Sequence, residues 1–190
     1  MVIDLDKKIQ EVISRPSDIN QHIETIIKYG KECDHITEMG MRFMVSIWGW
    51  LYTKPKRLVA IDMENPAKWG RNILELEDTA SHHGVSFQFR QENVLNIEIE
   101  ETDLLFIDTW HSYKQLSKEL ELHAPKVRKY LCFHDTTTFG SRDENAYGLE
   151  GHPTKKGLWL AIEEFLEKNT EWTIKERFTH NNGFTILEKQ

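Results

Sequence analysis

Residues 103–135 read DLLFIDTWHSYKQLSKELELHAPKVRKYLCFHD. Leu104 to Ile107 form a short apolar run that stops at Asp108, and Tyr130 to Phe133 form a second that stops at His134 and Asp135. Between them HSYKQLSKELELHAPKV has a helical pattern, so the segment predicts strand, helix and buried strand. That is the unit from which parallel sheets are built, because parallel neighbours need a crossover between them. Open sheets of this kind bind ligands at the carboxyl ends of their strands, which is where Asp108, His111, His134 and Asp135 fall.

The same alternation extends in both directions. Upstream, HITEMG (35–40), RLVAID (57–62) and VSFQFRQ (85–91) read as strands, MVSIWGWLY (44–52) as a helix, and PAKWGRNILELEDTASHHG (66–84) as a helix opened by Pro66. Before these, apolar residues at three- and four-residue spacing predict helices over Ile3–Ser14 and from Ser17 to about Glu32, with Ser17 as N-cap. Downstream, GLWLAIEEFLEKN (157–169) predicts a helix. WTIKERF and GFTILEK are strands joined only by THNNG, which is too short for a crossover and suited to a hairpin turning at Asn182-Gly183. The expected fold is α/β: a doubly wound sheet of about seven strands with helices on both faces, mostly parallel, its last strand antiparallel. The chain is expected to form one domain over 1–190, with 1–33 as an N-terminal helical extension whose first helix, Ile3–Ser14, packs on the body or mediates association; a homodimer is among the expected partners.

Composition narrows the classes of function. A net charge of −7 and a pI near 5.7, with the densest basic stretches at 53–57 and 126–130 short and placed before strands, argue against nucleic acid as a partner. No apolar run approaches the roughly 20 residues of a membrane span, and the N-terminus lacks the apolar core of a secretory signal. Cys33 and Cys132 show no metal or disulfide spacing, so a reducing, cytoplasmic setting is expected. Residues 136–156 have no apolar periodicity and a length rare for a loop in a compact domain. They leave the strand that carries His134 and Asp135, and are expected to form a mobile lid over the substrate.

The first turn, TEMGMRFMVS (37–46), has one glycine, Gly40, and an acid, Glu38, ahead of it. A phosphate cradle would need more glycines and no acid, so a dinucleotide or ATP is disfavoured. S-adenosylmethionine carries an ammonium and a sulfonium and no phosphate; Glu38 suits the charge and Gly40 lets an adenosyl group approach the backbone. Asp62, at the tip of the second strand, stands where an acid accepts ribose hydroxyls, although a loop or capping acid would read the same way.

The loop with Glu38 and Gly40, Asp62, and the terminal hairpin resemble class I S-adenosylmethionine-dependent methyltransferases, which share a Rossmann-like sheet. The FID-to-HDT segment is similar to a small branch grouped with cephalosporin-hydroxylase-like and sugar O-methyltransferases. The resemblance runs from about Thr37 to Leu187. It implies O-methylation of a small-molecule or sugar hydroxyl, or of a glycan. It also implies that Met41, Arg42, Ser46, Glu92, Asn93 and Asp108 join Glu38, Gly40 and Asp62 around the cofactor. Where the family has a Gly-Asp pair after the third strand, this chain has Gln91, Glu92 and Asn93, and the loop after Gly40 lacks a second glycine.

By the same resemblance Asp108 and His111 lie beside the transferred methyl, with His134 and Asp135 closing the site from the next strand. Asp108 and Asp135 match acids that hold Mg²⁺ in catechol-type relatives, so Mg²⁺ or Mn²⁺ is an expected ligand; Asp108, His111 and His134 are the expected catalytic residues, and without an ion His111 or His134 is the expected base. Each histidine also has a plain reading, His111 as a helix-start residue and His82 and His83 as partners of a helix end. Trp48, Trp50 and Trp159 read as core, and Trp110 as a pocket wall. Two other functions fit the same residues: an S-adenosylmethionine-binding protein without turnover, and a metal-dependent hydroxylase or hydrolase using His111, His134 and Asp135.

Overall fold

The structure is a computed structural model and describes residues 2–144 and 156–190. In chain order it contains α1 (Leu5–Ser14), α2 (Ile23–Gly30), β1 (His35–Met39), α3 (Ser46–Tyr52), β2 (Arg57–Asp62), α4 (Ile73–His82), β3 (Ser86–Gln91), β4 (Thr102–Ile107), α5 (Tyr113–His123), β5 (Val127–His134), α6 (Gly157–Lys168), β6 (Trp172–Phe178) and β7 (Phe184–Lys189). The strands form one sheet in the order β3-β2-β1-β4-β5-β7-β6, with β7 antiparallel to both of its neighbours. The expected α/β fold, strand number and antiparallel last strand are all present. No helix among the described residues is long and apolar enough to cross a membrane.

Strand side chains alternate between two faces, and each face has its own core. Ile36, Leu58, Ala60, Leu104, Phe106 and Cys132 pack under α1 to α4, while Met39, Val59, Ile61, Leu105, Ile107, Leu131 and Phe133 pack under α5 and α6. Trp48 and Trp50 are in the first core as expected; Trp159 is half-buried, and the Arg177 guanidinium stacks over its ring.

Three expected helices are shorter, each because of a local signal. The helix expected over 66–84 is interrupted at Gly70, which adopts a left-handed φ of +69°, and α4 restarts at Asn72, whose side chain accepts from Leu74 N. The helix expected from His111 begins at Tyr113, because Ser112 is the N-cap and accepts from Gln115 N at 3.2 Å. That leaves His111 outside the helix. Ser17 Oγ accepts from Asn20 N at 3.0 Å ahead of a short 3-10 turn, Asn20–His22, whose N-cap is Ile19, so Ser17 does not cap α2.

The N-terminal segment docks on the tip of the β6–β7 hairpin. Asn181 donates to Ser17 O at 2.8 Å and accepts from Gln21 N at 2.9 Å, and the buried His22 ring stacks on Phe184. Of the expected lid, residues 145–155 lie outside the described residues. Residues 136–144 are folded onto the body: Thr137 and Thr138 donate to Asn182 O, and Leu158 and Trp159 donate to the carbonyls of Phe139 and Gly140.

Phe106 is fully buried on the central strand β4, with Trp50 at 5.7 Å and Phe184 at 5.9 Å between ring centroids. Phe106→Ala is expected to cost about 3–5 kcal/mol of unfolding free energy in urea denaturation, the range for emptying an aromatic site in a core.

Candidate functional site

The strand order reverses between β1 and β4, so their crossovers leave in opposite directions and open a crevice at the carboxyl ends. Gly40 and Asp108 meet there. Gly40 has φ +89°, and a Cβ on it would lie 1.9 Å from the Asp108 carbonyl oxygen, so only glycine permits this approach. Arg42 and Met44 also take positive φ, 21° and 56°, a conformation that a second glycine would adopt without strain.

Asp62 holds this loop in shape. Its Oδ2 accepts from the backbone N–H groups of Met41 (2.8 Å) and Arg42 (2.9 Å), and its Oδ1 from Glu64 N at 2.9 Å. A carboxylate offers about four acceptor positions, so roughly one is left for a ligand hydroxyl. The acid expected to hold the ribose is therefore first the clamp of the glycine loop. Beneath it, Glu38 is fully buried: Oε1 accepts from the Ser46 hydroxyl, and Oε2 has no partner among the described residues. Burial holds the Glu38 carboxyl well above the usual range against the pull of the Ser46 bond, and Asp108 and Asp62 add to the rise.

Other residues expected around the cofactor also have local partners. The Arg42 guanidinium lies over Phe43 and Trp69, Glu92 pairs with Arg90, and Asn93 accepts from Leu95 N to cap a 3-10 turn.

The strand-tip acids and histidines form one cluster. His111 Nε2 lies 3.2 Å from Asp108 Oδ1 and 3.0 Å from Asp135 Oδ2; His134 Nδ1 lies 3.4 and 3.3 Å from the same two oxygens. The outer nitrogens are also engaged. His134 Nε2 faces the carbonyls of Asp18 (3.0 Å) and Asn181 (3.3 Å), and His111 Nδ1 faces Glu144 Oε2 at 2.8 Å. Every ring nitrogen thus points at an acceptor. Burial opposes charge on the rings, but the carboxylates outweigh it, so His134 is pushed up to about 10 and His111 well above its ordinary value. Reciprocally, burial would raise both aspartates, yet the two histidines bring Asp135 down to about 2 and hold Asp108 well below the carboxylate range.

The surroundings fix this cluster. Asp135 sits at φ +60°, a left-handed conformation that costs a non-glycine residue about 1–3 kcal/mol and is held only by its surroundings. The His111 ring stacks flat on Phe139 at 4.8 Å, and Glu144 N donates to His111 O at 2.8 Å. Behind Asp108, the fully buried Glu119 of α5 accepts from Thr109 Oγ1 (2.6 Å) and Gln115 Nε2 (2.8 Å); burial pushes its carboxyl up to about 7. Neither Glu144 nor Glu119 stands out in the sequence, where one is a loop acid and the other a helix acid among several.

No protein-family model and no curated protein matches the sequence. Solved structures do share the fold. An O-methyltransferase from Bacillus cereus in complex with SAH, S-adenosylhomocysteine, is 14% identical with a TM-score of 0.64, over 100% of this chain and 94% of that one. The O-methyltransferase TomG from Streptomyces achromogenes, involved in tomaymycin synthesis and in complex with SAM, S-adenosylmethionine, is 14% identical with a TM-score of 0.60, over 100% and 92%. The SAH-bound Podospora anserina methyltransferase PaMTH1 is 15% identical with a TM-score of 0.59, over 98% and 87%. At these identities the likeness is one of fold: this chain has the Rossmann-like sheet of the O-methyltransferases across its whole length.

Glu119 gives a pH-dependent test of the cluster's support. A carboxyl raised in the folded state contributes stability that is complete below its unfolded value, near 4.5, and is lost as pH rises through about 7. Glu119→Gln keeps an acceptor and removes the charge. Relative to wild type it is expected to gain on the order of 3 kcal/mol between pH 4.5 and 8 in paired urea melts, since each tenfold change in proton affinity is worth about 1.4 kcal/mol.

Proposed function

We propose that this chain is an S-adenosylmethionine-dependent methyltransferase acting on a hydroxyl of a small-molecule or sugar acceptor. The observation that carries it is the meeting of Gly40 and Asp108 at the switch point, with the acid and histidine cluster opening from the same strand ends. The ligands bound in the structures that share the fold, S-adenosylmethionine and S-adenosylhomocysteine, support the same reading.

S-adenosylmethionine fits what the chain offers: a buried acid with an unpartnered oxygen, Glu38; a glycine that brings the backbone to the crevice floor, Gly40; and an acid with about one acceptor position in reserve, Asp62. When bound, it supplies a methyl group on a positively charged sulfur. The chain's own residues then have three tasks. Gly40 and the Asp62-clamped loop seat the adenosyl end. Asp108, the more open of the two strand-tip aspartates, faces the acceptor hydroxyl and takes its proton as the oxygen attacks. His111, held between Glu144 and the aspartates, orients Asp108 and offsets the negative charge gathered there.

Isothermal titration of the full chain should show binding of S-adenosylmethionine and S-adenosylhomocysteine. Asp62→Ala should weaken it by about 1–3 kcal/mol, the scale of losing a hydrogen-bonded acceptor together with the loop it shapes. Absence of binding by the wild type would refute the proposal. Binding without transfer to any of a broad panel of hydroxyl compounds would favour a binding protein without turnover.

A further inference from the structure

Two histidine rings stand between the strand-tip carboxylates. Mg²⁺, the ion expected from relatives, takes oxygen ligands and does not fit a place where imidazole nitrogens face both acids. The aim of the rings therefore decides how Asp108 is held. His111 Nε2 and His134 Nδ1 face the same Asp108 oxygen, Oδ1, at 3.2 and 3.4 Å, which in the proposed reaction leaves Oδ2 for the acceptor hydroxyl. We propose that Asn181, at the tip of the β6–β7 hairpin, is a positioning residue for the transfer: it fixes the His134 ring, and through the ring the Asp108 carboxylate.

The His134 side chain is fully buried, and its Nε2 faces the carbonyls of Asp18 at 3.0 Å and Asn181 at 3.3 Å. Carbonyl oxygens only accept, so Nε2 carries a hydrogen, and Nδ1 is the atom turned to the aspartates. One residue governs both carbonyls. Asn181 supplies the second from its own backbone. Its side chain secures the first: Nδ2 donates to Ser17 O at 2.8 Å and Oδ1 accepts from Gln21 N at 2.9 Å, so the amide grips the N-terminal segment on either side of Asp18.

The residue type is matched to this task. Asn181 sits at φ +45°, in the left-handed region that asparagine and glycine enter most readily. Glycine would lack the grip, and aspartate would lack the donor to Ser17. Asparagine in a turn commonly bonds its own backbone two residues on. This one instead reaches partners 160 and 164 positions away. Its neighbour Asn182 is left-handed too, at φ +67°, and holds the turn through its backbone carbonyl, which accepts from Thr137 N and Thr138 N.

The proposal rests on Asp108 as the proton acceptor, so its test reads the ring as well as the reaction. Asn181→Gly and Asn182→Gly are matched variants, because glycine adopts either angle without strain. The full chain is labelled with ¹⁵N-histidine, and the His134 ring signals are identified by their loss in His134→Gln. Without cofactor or acceptor, Asn181→Gly should keep the circular dichroism of the wild type while the His134 Nε2–H exchanges with water about 10-fold faster, the scale of losing one hydrogen bond. Asn182→Gly should behave as the wild type does. Asn181→Asp, which keeps an acceptor for Gln21 N, should also speed the exchange and decides the matter if Asn181→Gly does not fold. With S-adenosylmethionine and a panel of hydroxyl compounds, Asn181→Gly should lower kcat by about 10- to 100-fold and leave the KM for S-adenosylmethionine unchanged, since small misplacements of reacting groups cost this much. An unmoved ring signal in the Asn181 variants, an equal change in Asn182→Gly, or a moved signal with unchanged kcat would each overturn the proposal. If the wild type transfers no methyl group, the methyltransferase reading fails, and the ring spectrum still decides whether Asn181 positions His134.

Discussion

Two carboxylates held side by side at neighbouring strand tips repel unless positive charge or protons lie between them. Asp108 and Asp135 are placed there by the parallel pairing of β4 with β5, and His111 and His134 supply the compensation. Much of the chain is arranged to keep those two rings in place. Asp18 from the N-terminal segment and Asn181 from the hairpin tip present carbonyls to His134, while Glu144, carried back by the segment after β5, meets His111. Segments more than a hundred residues apart in sequence thus converge on one electrostatic constraint. This gives the N-terminal helices and the antiparallel hairpin a reason to be where they are beyond covering the core.

The other half of the crevice rests on a complementary device. Gly40 lets β1 run into the backbone after β4, and Asp62 ties the turn that follows with two backbone hydrogen bonds and is itself held by a third, from Glu64 N. A loop with strained residues at Arg42 and Met44 needs such a tie. The same acid therefore shapes the pocket and keeps an acceptor for the ligand. In the proposed reaction, the Asp62 side of the crevice holds the methyl donor and the Asp108 side receives the hydroxyl proton. The buried carboxyls Glu38 and Glu119 lie beneath the two sides and stiffen the turns above them through Ser46 and Thr109.

The layered fold was legible because it depends on local pattern. Apolar runs of strand length, helical periodicity and a turn too short for a crossover are properties of contiguous residues, and the structure has the sheet they predict. Helix limits at 70–73 and at Ser112 were written in the sequence as Gly70, Asn72 and a serine cap, but the longer periodic pattern overrode them. Asp108, His111, His134 and Asp135 could be named because strand ends are where such folds keep their chemistry. What the sequence could not convey was long-range partnership. Glu144 reaches His111 only because the chain turns back after β5. Glu119 looks like any other acid of a charged helix until burial singles it out. Asn93 and Glu92 have local partners as well, as a cap and as an ion-pair partner, which a polar residue after a strand commonly has.

The central claim is that the Asp62-clamped loop and the Asp108 cluster are two sides of one cofactor and acceptor site. A crystal structure of the chain grown with S-adenosylhomocysteine tests it most directly. The account predicts density for the adenosyl group over Gly40, a ribose hydroxyl on Asp62, and the thioether sulfur turned toward Asp108 and His111. Density elsewhere on the molecule, or a sulfur directed away from Asp108 and His111, would contradict it.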